Sequence, residues 1–334
     1  MPGLDFDADE PSGASGASDA WREPVRGGHP DSAQIGLSGA RQLRAMLDGD
    51  TPAPPMTRLM GTRLTEFGPG TATFELQLSG WLRAADGQIP LGPLAMAADA
   101  AMACAVISGL PERTSMTTTE MTLHRLRPIP ATGRLLARAR VVDPGPPLAL
   151  AEVLLADEGG NTIAQATSLC LTIEVSLSSA FGVSAGRDGE RPDPWQREPP
   201  DPDGARAPLT RLTGLRPLCA EHGGATYAMP ATPWLCAPPP GRLPGGAVVM
   251  LAEAALTGAI ETVAPAGAAF SPVEVKLNFL RPLASDGRPV RAHARVVNSG
   301  RRIIVATAEV RDAGERLIAV ASGSSLAGAS AAGS

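Results

Sequence analysis

The stretch TATFELQL sets Ala72, Phe74, Leu76 and Leu78 between polar neighbours. A period of two predicts a strand with one buried face. Further on, LGPLAMAADAAMACAVISGL is apolar for too long to be a strand, and it predicts a buried helix over about Pro93 to Leu110. The second half repeats this order, with a short Ala-Thr-aromatic strand and then PGGAVVMLAEAALTGAIETVA, a helix over about Ala247 to Val263. In VEVKLNFL, Val273, Val275, Leu277 and Phe279 alternate with Glu274, Lys276 and Asn278. Further strands follow in both halves, separated by the turn signals DPGPP and DEGGN in the first and NSG and DAGE in the second. One helix followed by several antiparallel strands implies an α+β unit with the helix packed on one sheet face.

The two halves are copies. Thr57 to Ala101 aligns with Thr210 to Ala255, sharing TRL, a glycine, the Ala-Thr-aromatic strand and the pairs Trp81-Leu82 and Trp234-Leu235. HRLRP, from His124 to Pro128, answers NFLRP, from Asn278 to Pro282, and ARVV recurs at Ala139 and Ala294. A period near 150 residues is a duplicated domain, whereas solenoid units run about 20–50 residues.

Length and composition fit two compact units, since 334 residues with 43% apolar content give each a core. A net charge of -5 with only 3% aromatic residues argues against nucleic acid as partner and toward small molecules. Cys104, Cys170, Cys219 and Cys236 lie far apart without a CxxC pair, so reduced structural cysteines are expected and neither zinc nor a disulfide framework. The acidic start MPGLDFDADEPSGASGASD lacks the basic end and apolar core of a signal peptide, and the longest apolar run, Leu94 to Leu110, is too short for a membrane span and carries Asp99. A cytoplasmic protein without membrane contact is expected. The organisation expected is a disordered or loosely attached segment over 1–36, a first unit over 37–175, a solvated Pro/Gly-rich linker over 176–208 containing Phe181 and Trp195, a second unit over 209–327 and a frayed tail over 328–334.

Asp99 and Glu253 stand out within the two apolar helices, each seven residues after a glycine, Gly92 or Gly246. A carboxylate buried without a partner is costly, so its recurrence at one place in both copies marks a candidate site. The seven or eight residues that separate helix start and carboxylate span roughly 10–12 Å along one helix. The two cannot serve one carbonyl group together. The free N–H groups of a helix start suit a developing oxyanion, whereas a carboxylate must approach the attacking water or the carbonyl carbon.

A glycine, six residues and then Asp or Glu in a helix, followed by an alternating strand ending in LRP and two long strands, resembles the hotdog-fold acyl-CoA thioesterases, in particular their phenylacetic-acid-degradation (PaaI-like) group. The resemblance covers roughly Arg41 to Val175 and Ala207 to Ala327. It implies two tandem hotdog units, each a long helix wrapped by an antiparallel sheet, paired as an internal pseudo-dimer. It also implies two composite sites, each joining the helix start of one unit to the carboxylate of the other. One would combine Gly245 and Gly246 with Asp99 and Thr118; the other would combine Leu91 and Gly92 with Glu253. The His-Gly-Gly common in the family is Pro244-Gly245-Gly246 in one copy and Pro90-Leu91-Gly92 in the other. Its helper Asn falls on Ala84 and Pro238, and its water-holding hydroxyl falls on Thr118 and Pro272. Thr118 is expected to share a strand face with Glu120 and Thr122.

The function so implied is hydrolysis of a small or medium acyl thioester of coenzyme A or an acyl carrier, with no metal or redox cofactor and with further homo-oligomerisation of the fused pair. Two alternatives remain: a non-catalytic acyl-thioester-binding or scaffold protein, or a hotdog hydratase or dehydratase. The second needs a histidine at the site, and His29, His124, His222 and His293 are scattered. A purely structural role for Asp99 and Glu253, as capping carboxylates at the unit interface, also stays open. Arg127 and Arg281 precede prolines at strand ends; a solvated or salt-bridged role is favoured over contact with a coenzyme A phosphate.

Overall fold

The computed structural model describes residues 19–174, 192–199, 206–238, 241–265 and 270–327. Its first half contains α1 (Ser32–Ile35), α2 (Gly39–Asp48), α3 (Pro55–Met60), β1 (Thr62–Gly68), β2 (Thr71–Gln77), α4 (Leu91–Ile107), β3 (Thr114–Arg125), β4 (Arg134–Asp143), β5 (Leu148–Ala156) and β6 (Thr162–Glu174). The second half contains α5 (Pro208–Thr213), β7 (Arg216–Glu221), β8 (Gly224–Pro230), α6 (Gly245–Glu261), β9 (Phe270–Phe279), β10 (Pro289–Ser299), β11 (Ile303–Arg311) and β12 (Leu317–Ala327). Both expected long helices form, each beginning at the residue after a proline, Pro90 or Pro244. In β2 the expected alternation is observed, with Ala72, Phe74 and Leu76 buried.

The twelve strands of the described residues join one antiparallel sheet in the order β1-β2-β4-β5-β6-β3-β9-β12-β11-β10-β8-β7. Its two halves meet where β3 pairs with β9, and Thr122 lies opposite Lys276, its own counterpart in the repeat. The pseudo-twofold passes through that pair. Inward residues such as Met121, Leu123, Val275 and Leu277 are fully or almost fully buried beneath the helix layer, where α4 packs on α6. The closeness of the two helices depends on glycine. A Cβ on Gly92 would stand 2.5 Å from Met250 Cγ, and one on Gly246 would stand 2.7 Å from Met96 Cα.

The segments expected to be loose depart from that expectation. Within 1–36, Asp19, Ala20, Arg26 and His29 are buried; within 176–208, Pro194 is buried and Trp195 is half-buried. The physical reason is a further repeat, DAWREP from Asp19 and DPWQREP from Asp193, whose members each form a 3-10 turn. The two are exchanged between units. Trp195 lies over Gly61 while the Trp81 indole donates to Arg197 O at 2.7 Å; Trp21 lies over Gly214 while the Trp234 indole donates to Glu23 O at 2.8 Å. The straps also join each other through ion pairs Arg197–Glu23 at 2.9 Å and Arg26–Asp193 at 3.6 Å. Phe181 lies outside the described residues.

Between the first strap and α3 the chain inserts α1 and α2, whereas the second strap, ending at Pro199, leads almost directly to Pro208 of α5. Among the described residues, unit 1 alone therefore carries a helix, α2, across the outer end of its long helix. Among the described residues no helix is long and apolar enough to cross a membrane.

Candidate active site

Asp99 sits on the third turn of α4 and is 5% exposed. Its partners come from two directions. From unit 2, the Gly246 N–H donates to Oδ2 at 2.9 Å; from its own unit, the Thr118 hydroxyl donates to Oδ1 at 3.1 Å. Burial pushes the Asp99 carboxyl above the usual carboxylate range, and the donors Gly246, Thr118 and Gly245 pull partly against it. Phe279 closes the site on the β9 side, since a Cβ on Gly245 would stand 3.1 Å from its ring.

Thr118 reaches Asp99 because β3 is irregular. The register with β6 shifts between Thr118 and Glu120, which inserts Thr119 as a β-bulge. A bulge reverses the alternation, so Thr118 turns to the helix side with buried Met121 and Leu123. The expectation that Thr118 shares a face with Glu120 and Thr122 is thereby corrected. Those two residues bond each other on the opposite face, where Glu120 also pairs with Lys276 at 3.7 Å. The same shift recurs opposite β9, between Ser324 and Ser325, and it sets Pro272 at the position of Thr118.

Glu253 is the pseudo-symmetric carboxylate, 3% exposed, and the N–H groups of Leu91 and Gly92 interact with it. Its nearby hydroxyl is Thr257, one turn along α6, whose Oγ1 donates to Oε1 at 3.2 Å. Thr257 was missed in the sequence, although an i, i+4 hydroxyl on a helix is a legible signal. Burial pushes the Glu253 carboxyl up to about 7, further helped by Glu261 and opposed by Thr257, Leu91 and Gly92. Where Phe279 flanks the first site, Arg125 stands at the second, with its Nε donating to Pro272 O at 2.7 Å. Pro93 removes one further N–H from the start of α4.

The expected cross-pairing is therefore present at both sites, with a correction to the expected donors: the N–H groups of Gly246, at 2.9 Å, and of Gly245 are both turned to the Asp99 carboxylate itself. None of the histidines is a hydrogen-bond partner of either carboxylate; His293, for one, faces Thr226 at 2.9 Å. Arg127 and Arg281 donate to the carbonyls of Thr162 and Leu317 at 2.6 and 2.7 Å. Burial pushes the Cys104 and Cys170 thiols up to about 12, which makes them poor nucleophiles.

Comparison with known proteins agrees with this fold. Residues 39–172 match the model of an acyl-CoA thioesterase C-terminal domain, and residues 241–319 match that of the thioesterase superfamily. Similar solved structures include the acyl-CoA thioesterase II TesB2 of Mycobacterium marinum, 11% identical over 82% of this chain and 98% of that one, with a TM-score of 0.53. The tesB protein of Mycobacterium avium subs paratuberculosis is 14% identical over 85% and 100%, with a TM-score of 0.57. A hot dog fold protein from Alicyclobacillus acidocaldarius is 14% identical over 83% and 99%, with a TM-score of 0.56. Among curated proteins no sequence matches. The finer placing in the phenylacetic-acid-degradation group draws only weak support from these matches. The solved structures show the fold of a whole tandem hotdog protein, and with a thioesterase model matched on each half, over 39–172 and 241–319, the chain belongs to the thioesterase superfamily.

Proposed function

We propose that the chain hydrolyses a small or medium acyl-CoA thioester, principally at the site formed by Asp99, Thr118 and the Gly245–Gly246 helix start. Water beside Asp99 attacks the carbonyl carbon and gives its proton to the carboxylate. Negative charge growing on the carbonyl oxygen faces the Gly245–Gly246 helix start, at the positive end of α6. The C–S bond then breaks, and the departing thiolate takes the proton, releasing the acid and free coenzyme A. The carrying observation is the two-sided hold on Asp99, by Gly246 and Thr118, which fixes both carboxylate oxygens at the start of the opposite helix.

The reaction as written uses no metal or redox group, and among the described residues no three His, Cys, Asp or Glu side chains converge to hold a metal ion. A cytoplasmic location is part of the proposal. Homo-oligomerisation of the fused pair rests on the family resemblance. The test is thiol release from a series of acyl-CoA and carrier-bound thioesters by wild type and Asp99→Asn. Turnover that depends on Asp99 is expected. Binding without turnover would turn the reading into that of a thioester-binding scaffold, which the absence of the family's His and Asn, replaced by Pro244 and Pro238, would then explain.

A further inference from the structure

The long helices are almost wholly buried, yet each leaves one strip partly open. On α4 the strip is Ala100, Ala103 and Ile107; on α6 its counterpart is Ala254, Thr257 and Glu261. The spacing i, i+3, i+7 makes each a single helix face. The two faces differ in chemistry, apolar in unit 1 and largely polar in unit 2. They also differ in cover. The α1–α2 insertion, found among the described residues only in unit 1, lies over the first strip with Leu43 and Met46, and Gly39 N–H fixes its start to Leu110 O at 3.0 Å. Beneath it is a cavity of about 100 Å³ with no charged side chain in its wall. At the matching place in unit 2, Tyr227 replaces Phe74 and wedges against Gly258, where a Cβ would stand 2.6 Å from its ring.

Resting on the hydrolase reading, we propose that this cavity receives the acyl tail of the thioester, and that Ala103 and Met46 set the length of tail accepted. Three observations place the cavity beside the Asp99 site. Ala100 directly follows Asp99, Ala103 stands one turn beyond it, and Ala237 and Pro238 in the wall belong to the loop leading to Gly245. A cavity of about 150 Å³ holds a benzene ring, so this smaller one takes a short aliphatic tail. In unit 2 the Tyr227 ring against Gly258 and the polar strip with Thr257 and Glu261 oppose such a tail, so the chain reads one acyl tail with one of its two halves.

The test measures kcat/KM across acetyl-, butanoyl-, hexanoyl-, octanoyl- and decanoyl-CoA, together with binding of the matching hydrolysis-resistant S-alkyl thioethers of coenzyme A. In wild type each added methylene should raise kcat/KM about fourfold until the cavity fills. Ala103→Leu should lower the hexanoyl-to-acetyl ratio at least tenfold, and Met46→Ala, on the covering helix, should move the optimum to longer tails. Ala254→Leu, the corresponding kind of change on α6, should leave the profile as in wild type. Turnover that needs Asp99 but a profile unmoved by Ala103→Leu and Met46→Ala would overturn the pocket and leave the hydrolase reading standing. Tail-length-dependent thioether binding that both variants alter, in a chain without turnover, would do the reverse. Thioether binding indifferent to tail length would overturn the pocket whatever the turnover.

Discussion

Gly246 meets the backbone of Met96 so closely that a Cβ on it would stand 2.7 Å from Met96 Cα and 2.8 Å from Ala95 O. Neither atom is the movable end of a side chain. Gly246→Ala gains about 1 kcal/mol of helix propensity, and the clash with backbone outweighs it, because forced overpacking costs about 1–3 kcal/mol and here also separates the carboxylate from its donor. Thermal unfolding should show a lowered Tm together with lost turnover. Wild-type stability in this variant would mean that the helices are not held this closely.

How much of this was visible in the sequence depends on what each feature needs. The duplication, both helices and the recurring carboxylates follow from local periodicity. The cross-unit pairing followed from helix length, because Gly246 and Glu253 are too far apart along α6 to share one carbonyl. Thr118 was found through resemblance, but its direction was misread, since a bulge at Thr119 leaves no mark in a run of four threonine and glutamate residues. The straps were missed for the opposite reason. DAWREP and DPWQREP are visible as a repeat, yet Pro, Arg and Glu content suggested solvent, and only the three-dimensional exchange shows that Trp21 and Trp195 are anchors.

Those anchors predict reciprocal effects. Trp195 is half-buried over Gly61, so Trp195→Ala should cost less than the ~3–5 kcal/mol of a fully buried tryptophan, on the order of 2 kcal/mol. Because the straps join through Arg197–Glu23 and Arg26–Asp193, adding Trp21→Ala should cost other than the sum of the single losses. A double-mutant cycle in denaturant checks this. Strict additivity would show two independent straps.

Thr118→Val removes the hydroxyl that donates to Asp99 and keeps the shape of the side chain. Since that bond lowers the carboxyl's proton affinity, its loss should raise it further. The acid limb of kcat/KM, which already should lie above the ordinary Asp range because Asp99 is buried, moves to higher pH. A hydrogen bond to a charged group is worth about 1.5–3 kcal/mol, so turnover at neutral pH should fall tenfold or more. An unchanged limb would separate Thr118 from the ionisation of the base.

Glu253 carries a stability signature of its own. Its folded-state value of about 7 lies above the ordinary 4.5, so the native state binds the proton more tightly than the unfolded chain between those values. The stability that the neutral form provides is complete below about 4.5 and is lost as pH rises through about 7, a fall of order 3 kcal/mol at most. Glu253→Gln, with no proton to lose, should lack that fall. Denaturant unfolding of both proteins across this window checks it, and parallel curves would place the titration elsewhere.

The two carboxylates should also separate in catalysis. Asp99 meets a Gly-Gly helix start and the Thr118 hydroxyl beside an apolar wall at Phe279. Glu253 meets Leu91 and Gly92, with Pro93 lacking an N–H, Pro272 in place of the hydroxyl and Arg125 in place of Phe279. Asp99→Asn keeps a carbonyl oxygen for Gly246 N–H and loses the basicity, so the fold should stand while turnover falls by roughly 10²–10⁴, the usual worth of a general base. Glu253→Gln should leave most of the turnover in place. Kinetics of the two variants on one acyl-CoA decide it: equal losses would make the sites equivalent, and a larger loss at Glu253 would move the chemistry to the other helix start.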